Sequence, residues 1–156
     1  MAMRTQGTLI EYETTTPGTF AAIGQVISFD GPGGKATIID TTNLQSVAKE
    51  KLPGLPDEGA FDMSVNYASD DAGQQALQAA RLAQSPINIR VTFTDTSTAE
   101  FAAYCMQFKL TGKADSKVEA DVSMEITGAV DFTPFTPGPY AWRSLATTSW
   151  PSMIGR

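Results

Sequence analysis

Histidine is absent from this 156-residue chain, and cysteine occurs once. Without an imidazole there is no Ser-His or Cys-His nucleophile pair, and a common zinc ligand and general base is missing. Cys105 alone can close no internal disulfide. It lies among Phe101, Ala103, Tyr104, Met106 and Phe108, which predicts a buried small hydrophobe in preference to a reactive thiol. Long hydrophobic runs are also missing: nothing approaches the roughly 18 apolar residues of a membrane helix. The opening MAMRTQGTLIEYE has no apolar stretch of the signal-peptide kind. A cytosol-like compartment with no membrane segment is therefore expected. Basic residues number 11 against 17 acids, a net charge of −6. Such a chain has no cluster of cations with which to displace counterions and grip a nucleic acid backbone.

What the chain does have is alternation. In residues 117–131, KVEADVSMEITGAVD, Val118, Ala120, Val122, Met124 and Ile126 alternate with Lys117, Glu119, Asp121, Ser123, Glu125 and Thr127. Period two over this length predicts one long strand, with one face in a core and the other wet and acidic. Phe61, Met63, Val65 and Tyr67 alternate with polar residues in a second strand, and Ile87, Ile89, Val91 and Phe93 in a third. Residues 22–29 and 35–40 read as further strands joined by the turn Asp30-Gly31-Pro32-Gly33-Gly34. Residues 99–110 carry apolar side chains on both faces, so that segment is either covered on both sides or contains a bulge. One helix is signalled over 72–83: Ser69, Asp70 or Asp71 can cap it, Gln74 follows Asp71 by three, and Ser85-Pro86 stops it. Its stripe is mostly alanine, suited to lying close on a sheet. The expected fold is mainly β, a β-sandwich or barrel with one flanking α-helix.

Two segments fit a compact domain poorly. Residues 41–59 read as a long inter-strand loop, yet they carry Leu44, Val47, Leu52 and Leu55, more apolar surface than a solvated loop needs. Residues 133–156 combine four prolines with Phe135, Tyr140, Trp142 and Trp150. Proline prevents regular structure while exposed aromatics favour burial, so this segment reads as a C-terminal arm that docks on its own or a neighbouring subunit. The division is 1–132 for the domain and 133–156 for the arm.

The remaining motifs offer little chemistry. Gly31-Pro32-Gly33-Gly34-Lys35 lacks Walker spacing and reads as a turn. Glu119, Asp121 and Glu125 share a face, but such rows are usually solvated surface, not metal ligands or paired catalytic carboxylates. No cofactor, metal site or catalytic residue is expected, and no enzyme.

Taken in order, the GTLIEY opening, the turn GPGGKATIIDTTNL, the segment KEKLPGLPDEGAFDMSVNY, the helix start DDAGQQAL and the strand KVEADVSMEITGAVDF resemble the major tail tube proteins of long-tailed bacteriophages. The resemblance covers about Gly7 to Thr133. It implies a structural virion protein: a homo-oligomer of hexameric rings, stacked into the tube that conducts the phage genome from capsid to host. It also implies assembly in the host cytoplasm and contacts with tape measure, tail terminator and tail tip proteins. Amphipathic strands of neighbouring subunits would line a lumen through which DNA passes without specific binding. Glu119, Asp121 and Glu125 are then expected to face that lumen, and Leu44, Val47, Leu52 and Leu55 to contact adjacent rings. The chain continues past the point where many simple members stop, and Trp142 and Trp150 are the expected anchors of the arm on a neighbour. The alternative reading is a tail-tip or adhesin β-domain that binds a host surface ligand.

Overall fold

Residues 2–136 are described by a computed structural model. The elements are β1 (Leu9–Glu13), β2 (Phe20–Ala22), β3 (Val26–Asp30), β4 (Lys35–Asp40), β5 (Lys51–Asp57), β6 (Ala60–Asn66), α1 (Ala72–Ala83), β7 (Pro86–Thr92), β8 (Thr98–Thr111) and β9 (Glu119–Thr133). Seven strands form one antiparallel sheet in the order β2-β1-β7-β8-β9-β6-β3, while β4 and β5 pair as a separate ribbon. The fold is mainly β with a single helix among the described residues, as the alternation predicts.

The sheet folds over on itself. Its two edges, β2 and β3, are consecutive in the chain and separated only by residues 23–25. Ile23 N–H still bonds to Ile10 C=O beside β1, whereas Gln25 C=O already accepts from Asn66 N–H at the end of β6, at 2.8 Å in both cases. Three residues span about 10 Å, the spacing of two packed sheets. The long strands β8 and β9 belong to both layers. The first half of β8 pairs with β7 up to Tyr104, and the first half of β9 pairs with β6 up to Glu125. One layer is therefore β2, β1, β7, the start of β8 and the end of β9; the other is the end of β8, the start of β9, β6 and β3.

Most inward positions of the predicted alternation are buried, but Tyr67, Ile87 and Phe93 are half-buried and Val118, just before β9, is 44% exposed. Phe61, Met63 and Val65 of β6 meet Ala120, Val122, Met124 and Ile126 of β9 and Ile89 and Val91 of β7. Phe61 sits between Phe29 and Phe101, with ring centroids 6.1 and 5.1 Å away. The ambiguity of residues 99–110 is resolved by a bulge in β8 at Cys105/Gln107; the other register shift, opposite Glu100/Ala102, puts its extra residues in β9 between Thr127 and Asp131. Before the β8 bulge the odd-numbered Phe101, Ala103 and Cys105 point inward. After it the even-numbered Phe108, opposite Val122, takes over, because an extra residue shifts the parity of a strand. Cys105 is buried, and that burial raises its thiol pKa, which keeps it unreactive.

Helix α1 closes the structure beside β7 and β8, and its start ties the folded corner. Asp71 is the N-cap: one carboxylate oxygen accepts from Gln74 N–H and the other from Gly24 N–H, both at 3.0 Å. Gln74, 1% exposed, accepts from Ala68 N–H at 3.0 Å. It donates to Asn66 C=O at 2.9 Å and to Gly24 C=O at 3.3 Å. Helix, β6 and corner thus meet at two side chains. Gly24 belongs there because a Cβ would collide with the Asp71 carboxylate.

Three expectations change. The strand expected over 22–29 is two strands, since the chain changes layers at residues 23–25. The loop expected over 41–59 is in part strand β5, which pairs with β4. Pro53 and Pro56 argue against a central strand, but a two-stranded ribbon has free edges where a missing N–H costs nothing. Strand β1, at the GTLIEY opening, was not expected from alternation.

Candidate functional site: an acidic sheet face and an apolar hairpin

The predicted acidic row lies together on the structure. Glu119, Asp121 and Glu125 all fall on the outward face of β9, Asp121 and Glu125 exposed and Glu119 half-buried, while the residues between them fill the core. Register extends the row sideways. Asp121 stands opposite Ser64 on one side and Lys109 on the other; Ser123 stands opposite Asp62 and Gln107; Asp30 of β3 stands opposite Asp62. The Ser64 hydroxyl donates to Asp121 at 2.8 Å, and the Ser123 hydroxyl donates to Asp62. Each of these two acids is thus faced by a hydroxyl of the other strand, which relieves like-charge repulsion along the β6–β9 pair. Lys117 meets Glu119 at 3.2 Å. Together Ser28, Asp30, Asp62, Ser64, Gln107 and Asp121 border a groove of about 330 Å³ whose lining also includes Phe29, Met63 and Val122.

Asp30 and Asp62 were missed as members of this face. Their positions in alternating segments were visible, but only the register shows that β3 and β6 lie beside β9. The face can repel anions and hold water. No group of three His, Cys, Asp or Glu side chains is placed to hold a metal among the described residues.

The second feature is the β4–β5 hairpin, which stands apart from the main sheet. Asp40 anchors its tip: the Thr42 hydroxyl and then its backbone N–H hold the Asp40 carboxyl below its ordinary pKa. Thr41 N–H bonds to Glu50 C=O, and Glu50 N–H to the Thr42 hydroxyl. Beyond this clasp Leu44 and Val47 are fully exposed, and Leu52 and Leu55 on β5 are 57% and 90% exposed. Ile38 and Ile39 of β4 are also exposed. None of the four residues named from sequence folds back onto the core. Trp142 and Trp150, the other two, lie outside the described residues.

The family model for the lambda-like phage tail tube matches residues 1–100, which is more than half of the chain. This chain belongs to the lambda-like phage tail tube family. The tail tube protein is accordingly a structural component of a virion tail and not an enzyme. No curated protein matches it in sequence. Among solved structures, its fold is similar to that of a chain in the tail of an empty gene transfer agent particle, refined helically with C6 symmetry. That match has 18% identity and a TM-score of 0.72 and covers 85% of this chain and 100% of that one. It is also similar to the SPP1 tail tube, with 16% identity and a TM-score of 0.65 over 85% and 79% of the two chains. A chain of the PVC sheath-tube complex, from an extracellular contractile injection system in its extended state, matches at 10% identity and a TM-score of 0.64, over 85% and 91%. At these identities the likeness is one of fold. Among the described residues of the tail tube protein no helix is long and apolar enough to cross a membrane.

Proposed function

We propose that six copies of this chain form a ring whose lumen is lined by the layer made of β3, β6 and the adjoining halves of β9 and β8, and that stacked rings make a conduit for the phage genome. The observation that carries this reading is the pair of open edges bounding that layer. Among the described residues, β8 beyond Tyr104 has β9 as its only strand partner, and β3 has only β6. Because neighbours alternate in direction across β3, β6, β9 and β8, the β8 of one copy and the β3 of the next would run antiparallel after rotation about an axis near the strand direction. Pairing them removes two aggregation-prone edges and lets the sheet close. Four strands from each of six copies exceed the ~16–18 strands that already leave an aqueous channel in a closed barrel. The C6 symmetry of the gene transfer agent tail supports the copy number.

In this arrangement Glu119, Asp121 and Glu125, with Asp30 and Asp62, face the lumen. Duplex DNA carries a charge per ~1.7 Å, and salt screens beyond ~8 Å, so an acidic wall prevents adhesion at close approach without blocking passage. Leu44, Val47, Leu52 and Leu55 contact the adjacent ring, and the arm from residue 133 reaches a neighbour through Trp142 and Trp150. Subunits assemble in the host cytoplasm on tape measure, tip and terminator proteins.

Negative-stain microscopy of the purified protein over a concentration series tests the polymer: hollow tubes of uniform width are expected. Tubes of the triple variant Glu119→Lys, Asp121→Lys, Glu125→Lys should form and retain added duplex DNA in low salt, releasing it as salt rises. Tubes of that variant which bind no more DNA than wild type would remove the lumen assignment.

A further inference from the structure

A single basic residue interrupts the acidic layer. Lys109 is the only lysine or arginine in β3, β6, β9 or the part of β8 beyond Tyr104, and it is exposed. It stands opposite Asp121 on the outward face, yet no ion pair joins the two. The Asp121 carboxylate instead takes a hydroxyl from β6, that of Ser64. On the other edge of the layer Asp30 is exposed and has no cation partner among the described residues. The two open edges thus carry opposite charges, Lys109 on β8 and Asp30 on β3.

Register sets these charges at nearly matching heights. Ser28, Ser64, Asp121 and Lys109 form one row across the four strands, and Asp30, Asp62, Ser123 and Gln107 form the next. When β8 of one copy adds to β3 of the next with no shift along the strands, Lys109 comes beside Ser28. Asp30 is then its diagonal neighbour, at roughly 7–8 Å between backbones and within reach of a long side chain. Closing a barrel needs a stagger, and a shift of two residues toward the end of β3 sets Lys109 directly opposite Asp30. A shift of one would set it opposite Phe29, whose ring packs on the core, and would mix the two faces.

Apolar surface lies beside both charges: Met106 and Leu110 on this stretch of β8 and Ile27 on β3 are 46–65% exposed. A lysine on an edge strand ordinarily discourages pairing. Here it discriminates between partners. Two β8 strands aligned antiparallel over residues 107–111 would set Lys109 against Lys109, and like charges directly opposite are destabilising. The two-fold contact that would stop at a dimer is disfavoured, while the head-to-tail contact that closes a ring brings lysine to aspartate.

We propose that Lys109 of one copy pairs with Asp30 of the next, and that this ion pair selects head-to-tail addition of subunits and fixes their register. The pairing rests on the ring arrangement proposed above.

Charge reversal tests it. Lys109→Asp and Asp30→Lys, each with an unaltered far-UV circular dichroism spectrum, should raise the concentration at which tubes appear by about tenfold or more. An equimolar mixture of the two variants should form tubes near the wild-type concentration, because alternating copies restore every lysine–aspartate contact in a ring of even number. The double variant should do the same. As a measurement free of substitution, a water-soluble carbodiimide applied to tubes mixed from isotopically light and heavy wild-type protein should yield a Lys109–Asp30 amide joining light to heavy chains, read by peptide mass. Normal tubes from either single variant, rescue by neither mixture nor double variant, or tubes in which Lys109 is coupled only within its own chain would each overturn the pairing and leave the ring standing. A wild type that forms no tubes would overturn both.

Discussion

Replacing Gln74 by leucine, close to it in volume, removes three hydrogen bonds at the point where helix, β6 and corner meet. It strands Ala68 N–H, Asn66 C=O and Gly24 C=O. These groups are half-buried, so each loses toward the lower end of the ~1–3 kcal/mol of an unsatisfied buried group, about 3 kcal/mol together. Leucine recovers about 1 kcal/mol by apolar burial, leaving a net loss of about 2 kcal/mol. For a chain of this length that lowers the melting temperature by about 4–8 °C. Urea denaturation of the dilute subunit, followed by far-UV circular dichroism, measures it. A change within about 0.5 kcal/mol would refute the reasoning, because that is the scatter of an uninvolved surface site. Gln74→Glu separates hydrogen bonding from packing. The carboxylate keeps the bond from Ala68 but sets a charge against two carbonyl oxygens, so its folded pKa is raised above the unfolded value near ~4.3. A group raised in this way favours the folded state below its unfolded pKa and loses that contribution as pH rises through the folded one. The deficit of Gln74→Glu relative to wild type should therefore widen between pH 4 and 7; a constant deficit would point to packing alone.

Three other outcomes follow from the geometry. Leu44→Asp with Val47→Asp should leave subunit stability within about 0.5 kcal/mol, since both side chains are fully exposed. The same change should abolish tubes under the microscope; normal tubes would remove the inter-ring role. Met124→Ala, at a fully buried site, should cost about 2–5 kcal/mol in urea denaturation. Acid should weaken the subunit. Glu13 is held below its ordinary pKa by Gly18 N–H and then Asn88, and Asp95 by the Ser97 hydroxyl and then its N–H. Depressed carboxyl pKa values stabilise the fold above the unfolded values near ~4 and are lost as pH falls through the folded ones. The urea midpoint should therefore drop below pH 4, less steeply in Glu13→Gln.

Residues that obey one simple period were the most legible. The faces of β6, β7 and β9 and the helix with its Asp71 cap could be read from spacing, because a half-exposed strand and an amphipathic helix each leave a periodic trace. The acidic row on β9 was readable for the same reason. Asp30 and Asp62 joined it only through register, a long-range property with no local signature. The layer change at residues 23–25 was hidden because Ile23 and Val26 are both good strand residues, and the switch depends on Asp71 and Gln74, some 50 positions away. In β5, Pro53 and Pro56 spoke against a strand, and only its separation from the main sheet makes them harmless.

The corner at residues 23–25 also bears on how the subunit breathes. β2 and β3 sit at opposite edges of the sheet, so each would ordinarily fray by itself. Here the Asp71 and Gln74 clasp on Gly24 holds the chain between the backbone bonds of Ile23 and Gln25, and release of that corner loosens both edges. Amide hydrogens of Phe20–Ala22 and Val26–Asp30 should then exchange with a common opening free energy, as one cooperative unit spanning both layers. Docking another copy along β3 would slow exchange at β2, on the far edge of the sheet, with no contact made there.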